Sequence, residues 1–97
     1  MRQRYLVAYD VSDPKRLRRT YRAMLGFGDP LQLSVFRCDL SEVELMKLRI
    51  RLLEIIHQGE DRVLIARLGP VDGRAQGVFE FLGVAPDAEP AREAWIV

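Results

Sequence analysis

The stretch that most limits what this chain can fold into is Tyr5-Leu6-Val7-Ala8-Tyr9-Asp10, five apolar residues without a break, closed by a single carboxylate. A continuous apolar run of this length fits a central strand covered on both faces better than an edge strand, which would alternate. A helix start follows at once: Ser12 or Asp13 can serve as N-cap, and Pro14 then sits at the first helical position, where its missing N–H is no loss. The chain therefore passes from its most buried strand straight into a helix, and it places an acid at the junction.

The first strand spans residues 4–10. In the helix after it, Leu17, Tyr21, Met24 and Leu25 recur at helical spacing as a buried stripe, and Gly26 and Gly28 end it. Residues 31–38 are β-prone, as one bent strand or two short ones. Leu31, Leu33 and Val35 alternate there with Gln32, Ser34 and Phe36, which puts Ser34 and Phe36 on the polar-alternating face. Ser41 and Glu44 match a capping box. The helix they open runs to about His57 and closes at Gly59, with apolar residues around more than half its circumference, so burial on more than one side is expected. Residues 62–68 read as a strand, the loop GPVDGRAQG follows, and residues 77–84 read as one more strand. This order points to an α+β fold, a ferredoxin-like βαββαβ sandwich with two helices on one face of an antiparallel sheet. It divides into a domain over residues 1–84 and a C-terminal segment over residues 85–97. That segment is an acidic linker with Pro86 and Pro90 that ends in Ala94-Trp95-Ile96-Val97, a cluster expected to pack against something.

Ninety-seven residues make one small domain with little spare stability, which docking against a second copy would raise. With 48% hydrophobic and 30% charged residues the chain has the profile of a globular protein rather than a disordered one. No apolar run approaches the ~20 residues of a membrane span, and the basic N-terminus leads into a strand rather than a signal peptide, so a cytoplasmic location is expected. The single cysteine, Cys38, gives no internal disulfide and no metal spacing, and reads as a small core residue. The net charge of +1 names no partner, but its distribution does more: residues 2–22 hold seven Lys/Arg against two Asp, and residues 80–97 hold four acids against one arginine. The N-terminal third is the candidate anion-binding surface.

Two features carry chemistry. Asp10, at the mouth of a buried strand, suits a Mg²⁺ ligand, with the rest of the shell from water, phosphate or a second acid; from spacing alone a cap of the strand–helix junction is the favoured reading. Lys15, Arg16, Arg18, Arg19 and Arg22 form a helix segment with no acid among them. Their mutual repulsion, ~0.2–0.5 kcal/mol per pair, is tolerable on a solvated face and relieved by phosphates, which arginine forks hold well. Ser34 and Phe36 either support a turn or contact a nucleotide. His57 reads as a cation at a helix end rather than a catalyst. No phosphate-cradling glycine loop, Cys/His cluster or Ser/His/Asp set is present.

Taken in order, YLVAYDVSDPKRLRR, GFGDPLQLSVFRCDLS and the helix leading to GEDRVLIARLG resemble the CRISPR-associated protein family numbered two, the small subunit of the spacer-acquisition complex. The resemblance covers residues 4–70 and rests on Tyr9-Asp10, the arginine helix and Gln32-x-Ser34-Val35-Phe36. It implies a ferredoxin-like homodimer whose C-terminal segment crosses to the partner's sheet, giving Trp95, Ile96 and Val97 a place to pack. It implies a role in antiviral defence as a Mg²⁺-dependent endonuclease (with Mn²⁺ as a substitute) hydrolysing single-stranded RNA or duplex DNA. Asp10 would be the metal ligand facing its dimer mate, and Tyr9, Arg16, Arg18, Arg19, Ser34 and Phe36 would surround or support the site. It also implies a scaffold role, in which the dimer bridges subunits of the CRISPR integrase and holds DNA by its basic helices. Two positions depart from the family pattern: Pro30 stands where many members carry arginine, and Arg37 where many carry an acid, which adds positive charge near the site. A small metabolite-binding regulatory domain, with Asp10 as a cap, is the reading independent of the family.

Overall fold

Burial along the first strand, β1 (Gln3–Asp10), alternates: Tyr5, Val7 and Tyr9 are buried, while Leu6 and Ala8 are only half covered. In the computed structural model, which describes residues 1–73 and 77–86, both helices lie on the Tyr5/Val7/Tyr9 face. The expectation that this strand is covered on both faces thus holds for one face within a single chain. The remaining elements are α1 (Pro14–Met24), β2 (Asp29–Gln32), β3 (Val35–Leu40), α2 (Glu42–Ile55) and β4 (Arg62–Pro70). The strands form one antiparallel sheet in the order β2-β3-β1-β4. This is the ferredoxin-like βαββαβ arrangement, with β1 in the middle as its composition required.

The caps behave as the sequence indicates. Asp13 is the N-cap of α1, accepting from Arg16 N at 2.9 Å, with Pro14 opening the helix. Ser41 and Glu44 form the reciprocal capping box of α2: Glu44 N donates to Ser41 Oγ at 3.2 Å, and Ser41 N donates to Glu44 Oε1 at 2.8 Å. The core joins Tyr5, Val7 and Tyr9 to Met24, Phe36, Cys38, Leu40, Leu45, Leu48 and Leu52. Cys38 is a core residue, and burial pushes its thiol up to about 12.

Three expectations change. Of the two forms open to residues 31–38 the structure shows two short strands, but the face expected of Phe36 is reversed: the turn at Leu33 and Ser34 resets the parity between β2 and β3, so Phe36 points into the core and is fully buried. Helix α2 buries one stripe, Leu45, Leu48, Leu52 and Ile55, while Val43, Met46, Ile50 and Leu53 stay more than half exposed, so within one chain it is covered on one side only. Residues 77–84 form no strand, and Leu82 and Val84 are nearly fully exposed. Residues 87–97, including Trp95, Ile96 and Val97, lie outside the described residues.

The turn from α1 into β2 passes so close to β3 that Gly28 has no room for a side chain: a Cβ there would collide with the Arg37 carbonyl and the Cys38 sulfur. Gly28→Ala must therefore push β2 off β3. Thermal melting should show a loss of about 1–3 kcal/mol, whereas Gly73→Ala, whose Cβ would meet nothing nearer than Pro70 Cβ at 3.8 Å, should melt close to wild type.

Candidate functional site

Asp10 ends β1 with its side chain exposed. The cap reading of this residue has no support in the geometry, because other acids do that work. Asp13 caps α1, and Asp61 receives the N–H of Ser12 at 3.1 Å, in the link between Asp10 and the helix. Among the described residues the Asp10 carboxylate takes part in no hydrogen bond and no ion pair. A rigid, solvent-facing carboxylate left without a partner at the end of a central strand is a ready hard-oxygen donor.

Asp61 is what holds the junction, and no local pattern in the sequence marks it. Its side chain is fully buried. Oδ2 accepts from Arg16 Nε at 2.8 Å and from His57 N at 2.8 Å. Oδ1 accepts from Arg16 Nη2 at 3.2 Å, Ser12 N at 3.1 Å and, more distantly, Ser12 Oγ at 3.4 Å. The fork of Arg16 holds the Asp61 carboxyl well below the usual carboxylate range, aided by the N–H groups of His57 and Ser12. The same contact raises Arg16 further above its ordinary value. Arg16 also reaches Glu60 at 3.1 Å, so the guanidinium expected to bind nucleic acid is committed within the fold. His57 adds a backbone donor to this clasp, and its Nδ1 accepts from Gly59 N at 3.1 Å.

The other basic positions divide in two. Lys15, Arg18, Arg19 and Arg22 on α1 are exposed and make no ion pair among the described residues. Arg37 lies on the sheet surface away from the helices, paired with Asp29 at 3.1 Å. Tyr9 and Phe36 sit beneath the site rather than in it. Tyr9 OH donates to the Leu33 carbonyl at 3.0 Å and Tyr9 N to the Ser34 carbonyl at 3.1 Å, pinning the β2–β3 turn beside Asp10. Burial raises the Tyr9 hydroxyl above its ordinary pKa and leaves it a donor. Phe36 supports Tyr9 at 6.2 Å and Tyr21 at 5.5 Å between ring centres and is out of reach of a substrate. The turn and α1 enclose an open groove of about 530 Å³ lined by Asp10, Pro14, Leu17, Arg18, Tyr21 and Ser34. On the opposite side of Asp10 lies Arg62, its partner across the β1–β4 ladder, which sequence reasoning also passed over.

The residues present suit a divalent cation in part. No group of three or more His, Cys, Asp or Glu able to hold a metal occurs among the described residues. Among the described residues the end of β1 offers the Asp10 carboxylate without a full set of protein ligands beside it, and the rest of a coordination shell must come from elsewhere. No helix among the described residues is long and apolar enough to cross a membrane.

The Asp61 clasp has a pH signature. A carboxyl depressed on folding contributes stability that is complete above its unfolded pKa, ~4, and drains away as pH falls below that. Asp61→Asn should thus melt several degrees below wild type at neutral pH, with the gap narrowing as the pH drops beneath the ordinary carboxylate range. A gap of constant size across that range, measured by calorimetry, would contradict the assignment.

A family model described as CRISPR associated protein Cas2 matches residues 1–72. The CRISPR-associated endoribonuclease Cas2 of Geobacter sulfurreducens is 43% identical over 72 residues, covering 74% of this chain and 76% of that protein. The CRISPR-associated endonuclease Cas2 2 of Thermus thermophilus is 38% identical over 82 residues, covering 84% and 83%. Among solved structures, Streptococcus pyogenes Cas2 superimposes with a TM-score of 0.73 at 33% identity, covering 82% of this chain and 99% of that one. A hypothetical protein from Thermus thermophilus gives 0.75 at 36%, covering 89% and 96%. The chain belongs to the Cas2 family.

Proposed function

We propose that this Cas2 family member is a metal-dependent endonuclease of CRISPR adaptation, working as a homodimer in which two copies of Asp10 complete one Mg²⁺ site (Mn²⁺ serving in its place). The observation that carries this reading is the unpartnered Asp10 carboxylate, kept exposed while Asp13 and Asp61 satisfy the junction around it. The relatives from Geobacter sulfurreducens and Thermus thermophilus bear the names endoribonuclease and endonuclease, which agrees with phosphodiester hydrolysis.

The second copy has a surface to dock on. The sheet face away from the helices carries Leu6, Ala8, Val35, Leu64 and Ala66 as one apolar patch, with Leu64 60% exposed. The ion pairs Arg4–Asp39 at 2.8 Å and Arg37–Asp29 at 3.1 Å border it. An apolar centre with a polar rim is the anatomy of a protein interface. Asp10 lies on this same face, so face-to-face packing brings two such carboxylates toward a common axis, as a shared metal requires. The C-terminal segment, residues 85–97, is proposed to reach the partner's sheet.

In the reaction, an oxygen–phosphorus bond forms from water as the bond to the leaving sugar oxygen breaks, and that oxygen takes up a proton. When bound, the cation supplies an activated water and charge stabilisation at the phosphate. Asp10 holds the cation; Lys15, Arg18, Arg19 and Arg22 hold the neighbouring phosphates; Tyr9 and Ser34 fix the turn that walls the groove. Asp10→Ala should abolish Mg²⁺-dependent cleavage of single-stranded RNA or duplex DNA while leaving melting temperature and dimer mass unchanged, since its carboxylate makes no hydrogen bond or ion pair among the described residues. Cleavage retained in that variant would overturn the reading.

The exposed arginines favour a second reading, a scaffold that holds DNA for a CRISPR integrase without cutting it. Phosphate contacts release counterions, so replacing Arg18 and Arg19 by glutamate should weaken duplex binding and reduce the salt slope by roughly two. Binding that keeps the wild-type slope would remove α1 from the interface.

A further inference from the structure

We propose that Arg62 is a phosphate-anchoring residue of the Asp10 site, gripping a non-bridging oxygen of the scissile phosphodiester on the side away from α1. This rests on the reading of Asp10 as the metal ligand. Arg62 opens β4 directly opposite Asp10. Residues opposed across an antiparallel ladder project from the same face, with Cβ atoms ~4.5–5.5 Å apart. Such a pair of opposite charges ordinarily closes into an ion pair, yet no pair between them forms within 4.0 Å, and neither has another partner among the described residues. A hollow of about 370 Å³ opens at this point, bounded by Asp10 and Arg62 and, toward the patch on which the second copy is proposed to dock, by Ala8 and Leu64.

An anion seated beside a carboxylate needs a cation within reach, and the other nearby arginines are engaged or face elsewhere. Arg16 is held by Asp61 and Glu60, and Arg37 by Asp29. Arg18 borders the groove on the α1 side. Among the described residues Arg62 is the arginine with a free fork on the β4 side of Asp10, and its backbone is fixed on both sides, by the ladder to β1 and by the buried Asp61 that precedes it. A planar fork on a rigid strand fits two phosphate oxygens at once, which an ammonium cannot do.

The test compares wild type, Arg62→Ala, Arg62→Lys and Asp10→Ala as full-length protein. The substrates are a fluorescent single-stranded RNA and a DNA duplex of the same sequence, in Mg²⁺. Arg62→Ala should lower kcat/KM by roughly 10- to 100-fold, the loss of a charge-assisted hydrogen bond. Arg62→Lys should recover only part of this, and dimer mass and melting temperature should not move. A phosphorothioate at the scissile position should slow wild type more than Arg62→Ala, a difference that a merely structural role would not produce. Binding measured in chelator should lose about one phosphate contact from its salt slope in Arg62→Ala, and this readout stands even where no cleavage is seen. Wild-type kcat/KM in Arg62→Ala beside an inactive Asp10→Ala overturns the inference and spares the metal reading; an active Asp10→Ala overturns the metal reading itself. An unchanged salt slope, or a dimer that dissociates on Arg62→Ala, removes Arg62 from the phosphate.

Discussion

The buried carboxylate of Asp61 is the contact on which the arrangement of this molecule depends. It gathers the N–H groups of Ser12 and His57 and the fork of Arg16, and so ties the link after β1, the first turn of α1 and the end of α2 to the start of β4. A buried acid is tolerable only when its oxygens are satisfied, and both oxygens of Asp61 are. Because Asp61 and Asp13 take the free N–H groups of the junction, Asp10 needs no structural role. Its charge stays available to solvent, and that availability is what makes it a candidate for chemistry.

The sheet then sorts the remaining functions by face. Toward the helices, Tyr9 and Phe36 build a rigid floor under the β2–β3 turn. On the opposite face lie the apolar patch around Leu6 and Leu64, the half-buried pairs Arg4–Asp39 and Arg37–Asp29, and the Asp10–Arg62 register pair. Among the described residues a single copy leaves that face open and offers one acid at the end of β1. The second copy proposed above would remove both shortfalls at once.

What the sequence made legible was local. The run from Tyr5 to Tyr9, the Asp13-Pro14 helix start and the Ser41/Glu44 box each depend on residues within a few positions of one another, and they appear in the structure as the central strand and the two helix caps they were read to be. Periodicity failed where a turn broke it: Leu33 and Ser34 reset the parity, so Phe36 belongs to the core rather than to the polar face. It also overstated burial, because the outer stripe of α2 and the second face of β1 are apolar without being covered inside one chain. Charge pattern found the basic helix but not which arginine is spent within it; that was decided by an acid 45 positions away. Arg62 was invisible for the same reason, since only the β1–β4 register brings it opposite Asp10.

Asp10 from two chains is proposed to make one metal site, and calorimetric titration of the purified protein with Mn²⁺, read as stoichiometry rather than activity, tests it. A shared site takes up one ion for every two chains, and none when Asp10 is replaced by alanine. One ion per chain, or binding that survives Asp10→Ala, would contradict it.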